Sequence, residues 1–192
     1  WVDPETLKAQ ARRTRPDGSS LEKAAAIIAK AERPLILAGG GVHVSEAWDT
    51  LTQFAEAYGI PVANTMSGKG AIACNHSHSA GLFGRYDRIA NALIAASDCL
   101  LVLGCKLGEI ATKRFALIPP GKPVIHIEIE PTEIGRTTRT DVALASDAKL
   151  TLLDLAAALG SGKAAARARC GDGLSCRAVV MHSSSRTPGR AA

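Results

Sequence analysis

The sequence predicts an α/β protein: a Rossmann-like, doubly wound parallel sheet of five to six strands with helices on both faces. Three observations carry this. Short, wholly apolar runs such as 34–38 (PLILA) and 99–104 (CLLVLG) lack alternation, as strands covered on both faces do. Segments of helical period separate them, the pattern that joins parallel strands by right-handed crossovers. Aromatics make up 4% of a chain that is 46% hydrophobic, so the core must be built from Ala, Leu, Ile and Val.

The elements follow in order. Residues 1–18 are polar, with Pro4, Pro16 and Gly18, and read as a linker. Ser19 and Ser20 offer a cap for a helix ending near Ala31, whose Ala and Ile positions suit packing on a sheet. Pro34 opens the strand 34–38, and Gly39-Gly40-Gly41 follows directly. Ser45 is the expected cap of a second helix over 46–58, closed by Gly59. A strand at 61–65 (PVANT) comes next, then a long Gly/Ser/His/Asn loop at 66–84. A helix over 86–96, the strand 99–104 and a loop over 106–120 follow. The strand 123–130 alternates, with Val124, His126, Glu128 and Glu130 on one side and Ile125, Ile127 and Ile129 on the other. A helical turn at 131–135 precedes the last strand, 142–146, and Asp147 caps a helix to Leu159.

The folded domain is therefore expected over 19–159. Residues 160–192 are Ala, Arg, Ser and Gly without a usable period, and read as a disordered tail or a non-native reading frame. The chain begins at Trp1, as a fragment or processed piece would. Of its 23 basic residues, Lys163, Arg167, Arg169, Arg177, Arg186 and Arg190 lie in this tail, beside one acid, Asp172. Positions 1–159 then hold 17 residues of each sign, so the net charge of +5 belongs to the tail. A basic face on a folded module with stacking aromatics is missing, which argues against nucleic acid. No apolar run reaches the roughly 20 residues that span a bilayer. An odd number of cysteines, five, with no C-x-x-C pair and no signal peptide, points to the reducing cytosol.

Ligands of open α/β sheets bind beyond the carboxyl ends of the strands. Gly39, Gly40 and Gly41 stand at such an end, where glycines let backbone approach a phosphate and a helix N-terminus offers amides. The G-x-G-x-x-G pattern is incomplete, with Val44 in the last place, and a tight strand-to-helix turn explains the glycines equally well. Other strand ends carry Gly104 and Lys106, Glu128 and Ile129, and Asp147 and Ala148. A carboxylate there can accept ribose hydroxyls, and a lysine can meet a phosphate. Alone, Asp147 is explained as a helix cap and Glu128 as a solvated edge residue; it is their succession along one rim that points to a crevice. Cys74-x-His76-x-His78 lacks a second half with zinc spacing and is not taken as a metal site. His126 reads as a packed core histidine. No Ser/His/Asp order, inward carboxylate pair or nucleophile elbow appears, so no catalytic residue is assigned.

Taken in order, ERPLILAGGGV (32–42), AYGIPVANTMSGKGAI (57–72), the block 79–109 and the block 123–155 with its IHIEIEPTEIG run resemble the central domain of thiamine-diphosphate (TPP) enzymes. The group is that of acetolactate synthase, pyruvate oxidase and glyoxylate carboligase. The resemblance implies a three-domain parent in which flanking domains hold thiamine diphosphate and Mg2+, neither bound by this segment. It implies a homo-oligomer when intact, and a central domain that in some members holds FAD or ADP. It places such a nucleotide at Gly39, Gly40, Gly41, Thr65 and Met66, then at Gly81, Leu82, Phe83, Gly84 and Arg85. The site would continue at Gly104, Lys106, Glu128, Ile129, Asp147 and Ala148. FAD-binding members carry an Arg two residues after the glycine of the third block; here Lys106-Leu107-Gly108-Glu109 stands there, and Lys lacks the planar bidentate fork. Gly171-Asp172-Gly173 is similar to the start of the diphosphate motif, but no Asn follows Asn91. The alternative reading is a stand-alone FAD, ADP or NAD module.

Overall fold

The computed structural model describes residue 3, residues 13–86 and residues 88–160. Six strands form one sheet in the order β3-β2-β1-β4-β5-β6, every neighbouring pair parallel. They are β1 (Pro34–Ala38), β2 (Val62–Asn64), β3 (Ser79–Leu82), β4 (Cys99–Leu103), β5 (Val124–Glu128) and β6 (Val142–Ala145). The predicted doubly wound α/β class is the fold observed.

Buried on both faces, β1, β4 and β5 divide their side chains between two apolar layers. Leu101 and Leu103 point into one with α1 (Gly18–Lys30), α3 (Trp48–Tyr58) and α5 (Ala148–Leu159). Leu100 and Val102 point into the other, with Ile94 of α4 (Ile89–Ala96) and the segment after β4. Both layers are apolar, so the strand's period of two leaves no trace in CLLVL. The strand order reverses between β1 and β4, which parts the connections leaving their carboxyl ends and opens a crevice there.

Several local expectations shift. Asp17, not Ser19 or Ser20, caps α1, its carboxylate accepting from the Ser20 amide at 2.9 Å. The expected second helix is split: a single turn α2 (Gly41–Val44) ends at Ser45, Glu46 takes a φ of 52°, and α3 starts at Trp48 with no side-chain cap. Gly59 closes α3 in the left-handed conformation, as expected. The helix expected from residue 86 starts at Ile89, because Tyr86 sits at a φ of 71°. Within the segment read as loop lies β3, an edge strand whose register shifts against β2. β5 ends at Glu128, and Glu130 instead accepts from the Thr132 amide to cap a 3₁₀ turn (Pro131–Glu133). The linker's last residues pack on the domain: the Asp147 amide donates to Thr14 O at 2.9 Å, and Arg15 pairs with Asp154. The rest of the linker, apart from residue 3, and the tail from 161 lie outside the described residues.

Candidate functional site

At the strand-order reversal the carboxyl ends of the sheet open into a crevice of about 1240 Å³. Its walls include Gly39, Gly40, Gly41, Thr65, Met66, Leu82, Phe83, Arg85, Gly104, Lys106, Glu128, Ile129, Asp147 and Ala148. These are fourteen of the sixteen residues expected at a nucleotide site. The other two stand behind the wall: Gly81 lies within β3, and Gly84 packs against the backbone of Ile110 and Ala111.

The glycine turn is shaped first by its own packing. A Cβ on Gly39 would stand 2.2 Å from Gly104 O, and one on Gly41 would stand 2.6 Å from Gly104 Cα. The turn after β1 thus lies directly on the turn after β4. Its amides are engaged there: Gly39 N donates to Leu103 O and Gly41 N to Gly104 O, both at 2.9 Å. Val42 N and His43 N turn back onto Gly39 O and Gly40 O. Gly40 differs, since a Cβ there would first meet Ser67 Cβ at 3.4 Å, an ordinary contact. The tight-turn reading explains Gly39 and Gly41, while Gly40 alone keeps open backbone toward the crevice.

Four carboxylates line the crevice, Glu109, Glu128, Glu130 and Asp147, of which Glu128 and Asp147 are buried. Glu128, 5% exposed, is a buried strand end and not a solvated edge residue. Burial pushes its carboxyl above the usual range, against the pull of hydrogen bonds from backbone amides and of Lys106. The Ile129 amide donates to Glu128 Oε1 at 3.0 Å. Asp147 accepts from Leu150 N at 3.0 Å as the cap of α5 and from the Ser45 hydroxyl at 2.9 Å. Arg13 Nη1 reaches to 3.6 Å from Asp147 Oδ2 and hydrogen-bonds Ser45 O. Lys106 lies 3.4 Å from Glu133 Oε1 with most of its side chain in solvent.

Behind this wall His126 is 1% exposed, as expected of a core histidine. Its Nε2–H donates to Cys105 O at 2.9 Å while Nδ1 has no partner, and burial lowers its pKa, so the ring is neutral. Burial pushes the Cys105 thiol up to about 11, too protonated to act as a nucleophile near neutrality. The Cys74 region does not gather ligands: His76 Nε2 meets Glu56 at 3.0 Å and its Nδ1 accepts from His78 N. Among the described residues no group of three or more His, Cys, Asp or Glu side chains converges as a metal site.

Sequence reasoning missed part of the wall. Arg13 sat in a stretch read as linker, Ser45 was read as a cap, Tyr86 and Arg88 were read as the first turn of a helix, and Ile110 lies in the loop over 106–120. The mouth carries several exposed apolar side chains, among them Val44 (82% exposed), Met66, Tyr86, Ile110 and Ile129. A run of exposed large hydrophobics rimming a cleft was the one signal available, and it needs the fold to be seen.

A six-stranded parallel sheet covered on both faces, with a crevice at the reversal of strand order, defines a Rossmann-like α/β domain. The chain belongs to the family described as thiamine pyrophosphate enzyme, central domain, whose model matches residues 21–155. It is 41% identical over 140 residues to the probable acetolactate synthase large subunit of Methanocaldococcus jannaschii, covering 72% of this chain and 24% of that protein. It is 41% identical over 137 residues to glyoxylate carboligase of Escherichia coli O157:H7, covering 69% and 23%. Acetolactate synthase of Mycobacterium leprae is 33% identical over 160 residues, covering 83% and 26%. The chain therefore spans about a quarter of the length of these curated relatives. An X-ray structure from Mycobacterium smegmatis, assigned as a thiamin diphosphate-dependent enzyme, superposes with a TM-score of 0.67 at 22% identity, covering 80% of this chain and 30% of that one.

Proposed function

We propose that this chain serves as the central domain of a thiamine-diphosphate-dependent 2-keto acid decarboxylase or carboligase of the acetolactate synthase type. Its crevice holds a nucleotide, ADP or FAD, and the domain performs no catalysis of its own. The observation that carries the nucleotide reading is the crevice itself. At about 1240 Å³ it exceeds the ~300–1,000 Å³ usual for small-molecule sites, has mostly apolar walls, and sets two carboxylates along one side at successive strand ends. Glu128 and Asp147 are placed to accept ribose or base donors. Gly40 lets the ligand lie against backbone, and the exposed apolar rim covers its flat ring.

In the intact protein, thiamine diphosphate supplies carbanion stabilisation and is held with Mg2+ by flanking catalytic domains, which this domain spaces and orients in a cytoplasmic homo-oligomer.

Thermal unfolding of the chain with saturating ADP, FAD or NAD tests the nucleotide reading. At a hundred times Kd a bound nucleotide adds about 2.7 kcal/mol of stability and raises Tm measurably. The expected result is a shift with ADP and FAD; no shift with any of the three ends the reading. Sustained pyruvate turnover by the chain alone would overturn the absence of catalysis.

A further inference from the structure

Resting on the nucleotide reading above, we infer that the ligand's phosphates are held by a pair of arginines at the crevice mouth, Arg85 and Arg88, set around the face of Tyr86, and not by the glycine turn. A turn that cradles phosphate must present free amides. Here the amides of Gly39, Gly41, Val42 and His43 all donate to carbonyls within the two packed turns. Gly40 N is the one amide of the turn outside these bonds, and a single amide does not hold a diphosphate, so the anion needs another partner.

The segment after β3 supplies one. Tyr86 is 68% exposed and sits at a φ of 71°, a strained position for a bulky residue. Asn91 fixes it: its amide oxygen accepts from Gly84 N at 2.9 Å, and its amide nitrogen donates to Gly84 O at 2.8 Å and Tyr86 O at 2.9 Å. The guanidinium carbons of Arg85 and Arg88 lie 5.8 and 5.9 Å from the Tyr86 ring centre. All three side chains line the crevice. Neither arginine has a carboxylate partner among the described residues, and the intervening Asp87 lies outside them.

Arg88 is also the N-cap of α4, whose first turn holds no acid and whose cap makes no side-chain hydrogen bond. A cation at the positive end of a helix is disfavoured. Two guanidiniums and a helix N-terminus therefore share this part of the crevice, where the acid Glu109 is already 3.7 Å from Arg114, and an anion there gains all three. Lys106, the alternative cation, is already 3.4 Å from Glu133. Guanidinium forks suit the paired oxygens of a diphosphate.

Calorimetric titration of the full chain with ADP and with adenosine decides the matter, using Arg85→Gln, Arg88→Gln, the double variant and Lys106→Gln. Unliganded Tm is measured for each, which separates misfolding from lost recognition, and these exposed positions are expected to leave it unchanged. The expected result is about a tenfold loss of ADP affinity per arginine and about a hundredfold for the double variant, with adenosine binding unaltered. Added salt weakens ADP binding to the parent chain and scarcely affects the double variant. ADP affinity that survives in the double variant, or falls only with Lys106→Gln, overturns the arginine pair while leaving the nucleotide reading standing. A parent chain that binds neither ADP nor adenosine sinks both.

Discussion

Gly41 and Gly104 meet backbone to backbone: a Cβ built on either would stand 2.6 Å from the Cα of the other. This contact joins the turn after β1 to the turn after β4 and sets the floor of the crevice. Gly104 also holds a φ of 54°, where an L side chain is itself strained. Gly104→Ala is expected to lose about 1–2 kcal/mol from the left-handed backbone and a further ~1–3 kcal/mol from the clash. Gly41→Ala should show the clash alone.

Gly40→Ala is the counterpart. Its backbone is right-handed helical, and its Cβ would meet only Ser67, at 3.4 Å. The expected change is neutral to about 0.5 kcal/mol stabilising, through a less flexible unfolded chain. Urea unfolding midpoints at constant m resolve the three variants. Equal losses at positions 40, 41 and 104 would refute the distinction between a packing glycine and an open one.

Asp147 ties three parts of the molecule together: the first turn of α5, the Ser45 hydroxyl and, across 3.6 Å, Arg13 of the leading segment. Asp147→Ala should lower stability by about 1–2 kcal/mol through the lost cap. It should also release residues 13–17, seen as faster amide exchange there. Ser45→Ala should loosen the same segment by less, since Asp147 keeps its bond to Leu150 N. Unchanged exchange in both variants would mean that the segment docks by other contacts.

The sheet was legible in the sequence because β1 and β4 are wholly apolar, as strands covered on both faces are, while β5 sets His126 and Glu128 between its aliphatic residues. The strand-end residues were legible because fold class alone puts carboxyl ends on one rim. What escaped has physical reasons. β3 is a four-residue edge strand, SAGL, partly exposed and holding a glycine at a φ of 77°, so neither periodicity nor propensity marks it. Gly68, whose Cβ would meet Ala38 O at 2.4 Å, looks like any loop glycine until β1 is in place beside it. Glu128 taken alone fits a solvated edge residue equally well, yet its face of β5 is covered by the segment after β4, as His126 bonded to Cys105 O shows.

The burial of Glu128 has a pH signature. Its folded pKa lies above the ordinary 4.5, so in the interval above 4.5 the native state keeps a proton that the unfolded chain has released. Stability should therefore fall as pH rises through this interval, then level off once the native carboxyl has ionised. Glu128→Gln removes that slope while leaving an oxygen to accept from the Ile129 amide. Tm followed across pH should show the variant gaining on the parent chain as pH rises. A constant difference at every pH would mean that Glu128 has the same proton affinity folded and unfolded.

Cysteine chemistry offers an independent check on the crevice floor. Cys105 lines the crevice yet is 4% exposed, and burial raises its thiol to about 11, whereas Cys74 is exposed on a loop. Alkylation proceeds through the thiolate and needs access. At pH 8 iodoacetamide should label Cys74 within minutes and leave Cys105 unmodified until the chain is unfolded, as read by peptide mass spectrometry. Rapid native labelling of Cys105 would mean that the turn between Gly104 and Leu107 opens readily. That would contradict a floor held by the Gly41 contact on one side and by His126 on the other.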